Sequence, residues 1–353
     1  MREVTKASVT VMGLDLGDRW IHYCGLDVQG QEVESGRFAT NRASLARAFE
    51  GASRWRVILE AGPQTNWIAR ELEGWGHEVV VANPRKLSQI TQSSRKSDRV
   101  DAAALARWGW ADPRLLHPIV RRSERSARRR DLVHARSVAV GTRTAMVNHV
   151  RGVLKKQGVV VPRGTSGAWA QRCREQVPKD REAIVVPLLL LIEALGEAIR
   201  VYDQQIEREA AQEPAAVALR QVDGVGPITA LTYVATIDDP HRFARSRQVG
   251  SYVGLAPRSD RSGDRAKECG ITHCGDSTLR WLLVQSAQYI LGPHGKDCDL
   301  RRYGLALVAR GGRAAKRRAV TAVARKLAVM LHRLWASGEP YEPFYREAHA
   351  AAA

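Results

Sequence analysis

Apolar positions in the N-terminal part of the chain come in short runs broken by turn residues, the pattern of buried strands. Val9–Asp15 (VTVMGLD) is the first such run. Trp20–Asp27 and Glu32–Ala39 follow, with Gly30 in a turn between them, so three successive strands form an antiparallel meander. Asn41 is placed to cap a helix that runs to about Phe49. Arg56–Glu60 (RVILE) predicts another buried strand, ended by Gly62-Pro63; Thr65–Gly74 predicts a helix, and Glu78–Ala82 (EVVVA) a last strand stopped by Pro84. A helix from about Ser97 to Trp110 closes the series. The order β-β-β-α-β-α-β-α mixes antiparallel and parallel pairing in one α/β domain.

From about Arg114 to Glu213 the strand signals fade. Arg121–Arg136 is strongly basic and helical in pattern onward to Lys156, whereas Gly158–Lys179, with its Gly and Pro, predicts irregular chain. Val186–Gln212 predicts a long helix with Pro187 in its first turn, where proline is tolerated. Leu188, Leu191, Leu195, Ile199, Tyr202 and Ile206 recur at intervals of three or four. That seam suits an antiparallel or intermolecular coiled coil, or equally one amphipathic helix packed within its own chain. A third, mostly helical unit starts at Pro214, continues through a basic helical tail from about Arg301 to Trp335, and leaves Ala350–Ala353 as a frayed end. The class expected is α/β plus α.

Charge narrows the function. The 353 residues, enough for two or three domains, carry 55 Lys and Arg against 37 Asp and Glu, a net +18. Such a balance points to a polyanion, most simply nucleic acid, with a membrane surface as the competing partner. No apolar run reaches the roughly 18 residues a spanning helix takes, and the start (MREVTKASVTVMGLDLG) has no signal-peptide core, so no membrane association is expected. Five scattered cysteines suit reduced thiols and a cytoplasmic protein.

Four acids stand out in this basic chain. Asp98 and Asp101, in SSRKSDRVDAAALARWGW, are spaced i and i+3 and share a helix face. Alone they read as a solvated pair. Asp15 and Glu60, however, each end an apolar strand (VMGLD, VILE), where a carboxylate is costly without a positive partner. Together the four can converge on one or two divalent cations, for which Mg²⁺ with its preference for carboxylate and water oxygens is the natural choice. Arg95, Lys96 and Arg99 beside them can meet phosphates. In VDGVGP, Gly224 and Gly226 flank a valine ahead of a helix, which fits either a phosphate-binding helix-hairpin-helix turn or an ordinary helical hairpin. Ser259 and Ser262 lie in a polar loop with Arg258, Arg261, Arg265 and Lys267; such serines are usually turn formers, but these cations could hold a phosphate under attack. Cys269, His273, Cys274 and His294 match no zinc spacing and read as ordinary thiols and a surface histidine. Trp108, Trp110, Trp281 and Trp335 read as core or interface residues.

These blocks resemble the insertion-sequence 110 family of transposases, the DEDD recombinases. The likeness is carried by GLDLG (Gly13–Gly17), LEAGP (Leu59–Pro63), ANPRK (Ala82–Lys86) and KSDRVDA (Lys96–Ala102), then by VDGVGPITA (Val222–Ala230), RFARSRQVGSYVGLAPR (Arg242–Arg258), Ser262-Gly263 and GDSTLRWLL (Gly275–Leu283). The resemblance implies a RuvC-like, ribonuclease-H-like first domain over about 1–112 whose Asp15, Glu60, Asp98 and Asp101 coordinate Mg²⁺. It implies a dimerising coiled coil within 113–213. A transposase domain over 214–338 would supply the attacking serine, Ser262 with Ser259 as runner-up, ahead of a tail from 339. It further implies a phosphoserine intermediate, cooperation between the metal site of one subunit and the serine of another in a dimer or tetramer, and a noncoding guide RNA that selects DNA. His273-Cys274 departs from the family, which often has a lysine and another basic or polar residue there.

The reading expected is a DNA transposase that cuts and rejoins strands. The chain has no G-x₄-GK[ST] stretch, in keeping with rejoining that conserves bond energy without ATP. A RuvC-type endonuclease that hydrolyses with water would need the acids and no serine. A non-catalytic nucleic-acid-binding protein would need only the basic residues.

Overall fold

The structure, a computed structural model, describes residues 9–87, 97–161, 163–164, 167–262 and 265–345, and of residues 85, 87, 167, 259–262 and 265–269 the backbone alone. It divides into two compact units, Met1–Arg121 and Arg122–Ala353.

In the first unit, β1 (Val11–Leu16), β2 (Trp20–Leu26) and β3 (Glu32–Ala39) form the meander, followed by α1 (Arg42–Phe49), β4 (Arg56–Glu60), α2 (Thr65–Gly74), β5 (Glu78–Ala82), the short α3 (Pro84–Leu87) and α4 (Asp98–Ala111). The five strands lie in the order β3-β2-β1-β4-β5. β1 pairs antiparallel with β2 and parallel with β4, and β4 pairs parallel with β5. Asn41 caps α1 as its side chain accepts from the Ser44 amide at 2.8 Å.

Alternation along the strands gives the sheet two dry faces. Met12, Leu14, Ile21, Val57 and Leu59 pack with Leu45 and Phe49 of α1 and Ile68 and Leu72 of α2. On the other face Val11 and Ile58 pack with Leu105, and Cys24 and Leu26 with Ala102, Ala103 and Ala106, all three alanines and Leu105 belonging to α4. That helix is alanine-rich for a steric reason: it lies almost on the strands. A Cβ added at Gly13 would run into the Ala102 carbonyl and come 2.5 Å from the Ala106 nitrogen, and one at Gly109 would run into the Ile58 side chain. Gly13→Ala is therefore expected to push α4 off the sheet and destabilise the unit by about 3 kcal/mol, the upper range for overpacking. Chemical denaturation checks the loss.

The second unit is mostly helical: α5 (Glu124–Lys155), α6 (Gly167–Arg174), α7 (Glu182–Ala211), α8 (Pro214–Leu219), α9 (Pro227–Ile237), α10 (Arg247–Tyr252), the antiparallel hairpin β6 (Pro257–Ser262) and β7 (Arg265–Ile271), then α11 (Ser277–Leu291), α12 (Asp299–Ala309) and α13 (Ala315–Ser337). Its centre is α9, where every residue from Thr229 to Ile237 is buried and the Tyr233 hydroxyl donates to the Ala328 carbonyl at 2.6 Å.

α5 and α7 pack as an antiparallel pair, with Arg129 meeting Glu209 at 3.1 Å near one end and Val147 and Val150 meeting Leu189 and Ile192 near the other. Three expectations change here. The stretch 158–179 contains α6, whose Trp169, Ala170 and Cys173 are fully buried against α5 and α7; its single turn of apolar spacing is hidden between Gly and Pro. α7 starts at Glu182, so Pro187 falls in its second turn rather than its first. The proline leaves the Ala183 carbonyl without its i+4 donor, and both residues are exposed, so water can satisfy it. The seam also divides. Ile199 and Ile206 are buried within the chain together with Val185, Leu189 and Ile192, whereas Leu191 is 50% exposed. Trp108 and Trp335 pack on core residues, but Trp110 and Trp281 are exposed. No helix among the described residues is long and apolar enough to cross a membrane.

Candidate active site

GLDLG is shaped at both ends by close backbone approach. Gly13 admits α4, and Gly17 makes the turn into β2, where a Cβ would lie 2.7 Å from the Trp20 carbonyl. The Thr40 hydroxyl donates to the Gly17 carbonyl at 2.8 Å and ties the turn to the end of β3. Between the glycines, Asp15 follows Val11 and Gly13 on the face that meets α4. Glu60 follows Ile58 on the same face of β4, and β1 and β4 run in parallel register up to Leu14 and Leu59. After Glu60 the chain turns sharply. The Thr65 hydroxyl donates to the Glu60 carbonyl at 2.8 Å and accepts from the Gly62 amide at 2.8 Å, which accounts for the EAGPQT turn.

Ser97 caps α4 and sets its first turn beside these strand ends. Asp98 and Asp101 are both in that turn, where the helix dipole favours carboxylates. Asp15 and Asp98 come together with a residue the sequence pattern did not single out, His22. One ligand atom from each of the three lies within 4.8 Å of the other two, and His22 Nδ1 is 3.4 Å from an Asp98 oxygen. His22 stands directly across the β1–β2 ladder from Asp15. The clue in the sequence was the alternation of β2, in which His22 shares a face with Cys24 and Leu26 and so occupies a core-side position with a polar ring. Glu60 and Asp101 stand outside this tight group but act on it. Burial, then the charges of Asp98, Asp101 and Glu60, push the Asp15 carboxyl up to about 6, with His22 opposing them.

Carboxylates crowded so closely call for a positive counter-charge, and the oxygen-rich donor set with one imidazole fits a divalent cation. The residues that could hold it are Asp15, Asp98 and His22, whose ligand atoms lie together, with Glu60 and Asp101 around them. Because a ligand must be deprotonated, cation affinity is expected to weaken about tenfold between pH 7 and pH 5, as Asp15 takes up its proton near 6. Calorimetric titration with Mn²⁺ at the two pH values checks this.

Of the three cations expected beside these acids, Arg95 and Lys96 lie outside the described residues. Arg99 reaches over β3, with Nη2 3.6 Å from Glu32 and 3.4 Å from the Ser35 hydroxyl. The contact is a surface pair, weak enough to give way to a phosphate.

The other candidates are in the second unit. Ser262 is the last residue of β6 and pairs in register with Arg265, while Ser259 pairs with Glu268. The side chains of Ser259, Arg261, Ser262, Arg265, Lys267 and Cys269 lie outside the described residues, as do 350–353; Arg258 is exposed. The foot of the hairpin is firmly held. Gly254 and Gly275 have positive φ, and a Cβ on either would strike the opposite backbone, at Cys274 and Tyr252 respectively. Arg280 donates to the carbonyls of Val253 and Cys274 at 3.0 and 2.7 Å. Asp276 caps α11 by accepting from the Leu279 amide at 2.9 Å and pairs with Arg130 of α5. Gly224, at φ 86°, lies against Tyr289 and Ile290, whereas Gly226 at the start of α9 faces open space. Cys274 is exposed and His273 adopts a positive φ.

The chain is similar in sequence to transposases. Residues 12–158 match a DEDD-type transposase family of insertion sequence IS110, and residues 216–298 match the family described as transposase IS116/IS110/IS902. The chain is 28% identical to the transposase for insertion sequence element IS1111A of Coxiella burnetii, over 96% of this chain and 93% of that protein. It is also 28% identical to the IS1328 transposase of Yersinia enterocolitica (80% and 84% covered) and to a probable family 20 transposase of Pseudomonas aeruginosa (82% and 86%). The chain belongs to the IS110 family of transposases. It is thus an enzyme of the class that cuts and rejoins DNA, and the family's acidic set together with the cluster around Asp15 implies use of a divalent metal.

Proposed function

We propose that the chain is a Mg²⁺-dependent serine transposase. Its Asp15, Glu60, Asp98 and Asp101 hold the metal, and its Ser262 attacks DNA. The observation that carries this reading is the convergence on Asp15 of acids from two strand ends and a helix start. The meander followed by parallel strands supports a RuvC-like, ribonuclease-H-like account of the first domain, taken as 1–112. The helical 113–213 region and the transposase domain over 214–338 complete the division.

Bound Mg²⁺ supplies charge that polarises the scissile phosphate and stabilises the attacking and leaving oxygens. The chain's own groups do the rest. The Ser262 oxygen bonds to phosphorus, the P–O3′ bond breaks, and the serine proton is balanced by the one the leaving 3′ oxygen gains. A phosphoserine linkage now stores the bond energy. Attack by a 3′-hydroxyl on that linkage restores the phosphodiester and frees the serine, so no nucleotide cofactor is consumed. Arg258, Arg261, Arg265 and Lys267 neutralise the phosphate, and the backbone at Gly224 and Gly226 grips the DNA backbone without reading bases.

A noncoding RNA from the element guides the choice of DNA, and the protein acts as a dimer or tetramer. The apolar strip of α7 left outside the chain's own core, with Ile184 and Leu191 about half exposed, is the surface for a second copy.

The test is to mix protein, Mg²⁺, guide RNA and labelled DNA and look for a protein–DNA adduct that survives denaturant. An adduct is expected. Cleavage that yields only free ends, with no adduct, points instead to hydrolysis by a RuvC-type endonuclease; binding without cleavage under any metal points to a non-catalytic protein.

A further inference from the structure

The second unit contains a cavity of about 1190 Å³ whose described lining includes none of the four acids. One wall is a single face of α13, where Arg317, Thr321, Arg325, Val329 and Arg333 follow one another at a spacing of four. Leu255, Ile271, Leu300 and Met330 make an apolar floor. Tyr303 of α12 and Tyr345, in the segment that follows α13, add aromatic rings. That segment is strapped back over the fold, since the Asp299 amide donates to the Pro343 carbonyl at 2.9 Å and the Tyr341 amide to Gln221 at 3.1 Å.

The chemistry of the lining is specific. Lys326 Nζ is 3.8 Å from the centre of the Tyr303 ring, and the Arg333 guanidinium is 3.9 Å from that of Tyr345. Ring beside cation is the pairing that grips nucleotides, the ring taking the base and the cation the phosphate. Arg333 Nε is buried with no hydrogen-bond acceptor among the described residues, so its guanidinium has spare donor capacity beside the cavity. The stem of Arg325 is seated on Gly250, where a Cβ would come 3.1 Å from its Cγ. Asp299 and Glu342 also line the cavity, but Arg317, Arg318, Arg325, Lys326 and Arg333 outnumber them.

We propose that this cavity binds an unpaired nucleotide of a single nucleic-acid strand, with its base on the apolar floor against Tyr303 and Tyr345 and its phosphates on the arginines of α13. The cavity has room for a flat base on its apolar floor, and a base that is already unpaired enters without the cost of unpairing and unstacking that a duplex would impose. Pro257 and Ile271, at the foot of the serine hairpin, form part of the cavity edge, and Ser262 is five residues along β6. At about 3.3 Å per residue the serine is roughly 17 Å away. Resting on the assignment of Ser262 above, the captured nucleotide is then about five stacked positions from the scissile phosphate, at about 3.4 Å each.

The test measures binding of short labelled oligothymidylate, oligouridylate and a duplex of equal length to the full chain, without Mg²⁺. Both single strands are expected to bind more tightly than the duplex. The tighter of the two identifies the occupant's source, the displaced DNA strand or the guide RNA. Arg317→Glu at an exposed position and Tyr303→Ala should each weaken single-strand binding about tenfold, while Tyr303→Phe, which keeps the ring, restores it to within about twofold. Photo-crosslinking with a 5-iodouracil placed near the fifth position from the cleavage site should mark Tyr303 or Tyr345. Preference for the duplex, wild-type binding by Arg317→Glu, or crosslinks confined to other segments would overturn the proposal. Because binding is read without metal, failure here leaves the adduct assay standing, and failure of the adduct assay leaves this site standing.

Discussion

Asp15→Asn is expected to lower DNA strand cleavage by about 10³-fold and, at the same time, to make the metal-free protein more stable above pH 6. The two effects share one cause. Asp15 is half-buried at the end of β1, among Asp98, Asp101 and Glu60, and its carboxyl is pushed up to about 6. The folded protein thus holds this proton more tightly than the unfolded chain, whose value is near 3.8. Its contribution to stability is present in full below that value and is lost as the pH rises through about 6. The amide has the same shape and no charge, so it removes the repulsion. Discounted for solvent screening at a half-exposed group, the gain is about 1 kcal/mol, or a few degrees in melting temperature. Adding Mn²⁺ reverses the order, stabilising the wild type and leaving Asp15→Asn unmoved, because only the wild type binds the ion well. Thermal melts with and without metal, beside a cleavage assay, check both halves. A variant that is inactive but no more stable in metal-free buffer would mean that the acids do not crowd one another.

Ser262→Ala should abolish the denaturant-stable adduct and lower cleavage by about 10⁶-fold, the scale seen when a nucleophilic serine is removed from an otherwise intact site. DNA affinity and Mn²⁺ affinity should stay within about twofold of wild type, since the serine holds neither. Ser259→Ala should retain most of the activity. The opposite outcome moves the nucleophile to Ser259, and undiminished cleavage by both variants would assign the attack to water.

Much of the first unit could be read from the chain because its cues are local. The apolar runs ended by Asp15 and Glu60, the Asn41 cap and the alanine face of the helix after Ser97 each report on their own element. His22 was missed for a different reason. Its place opposite Asp15 depends on the register of β2 against β1, which no property of WIHYCGL alone reveals. The spacing in α7 reads as one face, but the helix presents its apolar residues to two, and only the position of α5 decides which of them are covered. α6 is only eight residues long and lies between breakers, too short for periodicity to register. The cavity beside α13 is the extreme case. Its residues come from the hairpin foot, two helices and the chain's C-terminal segment, so the arginines read from sequence as no more than a basic tail.

The account rests on one cation shared by side chains from β1, β4 and α4. The most direct measurement is anomalous scattering from a crystal of the protein grown with Mn²⁺. The predicted result is a peak about 2.1 Å from oxygens of Asp15 and Asp98, with Glu60, Asp101 or His22 completing the shell. Ordered Asp15 and Asp98 side chains with no peak between them, at a Mn²⁺ concentration that supports cleavage, would contradict it.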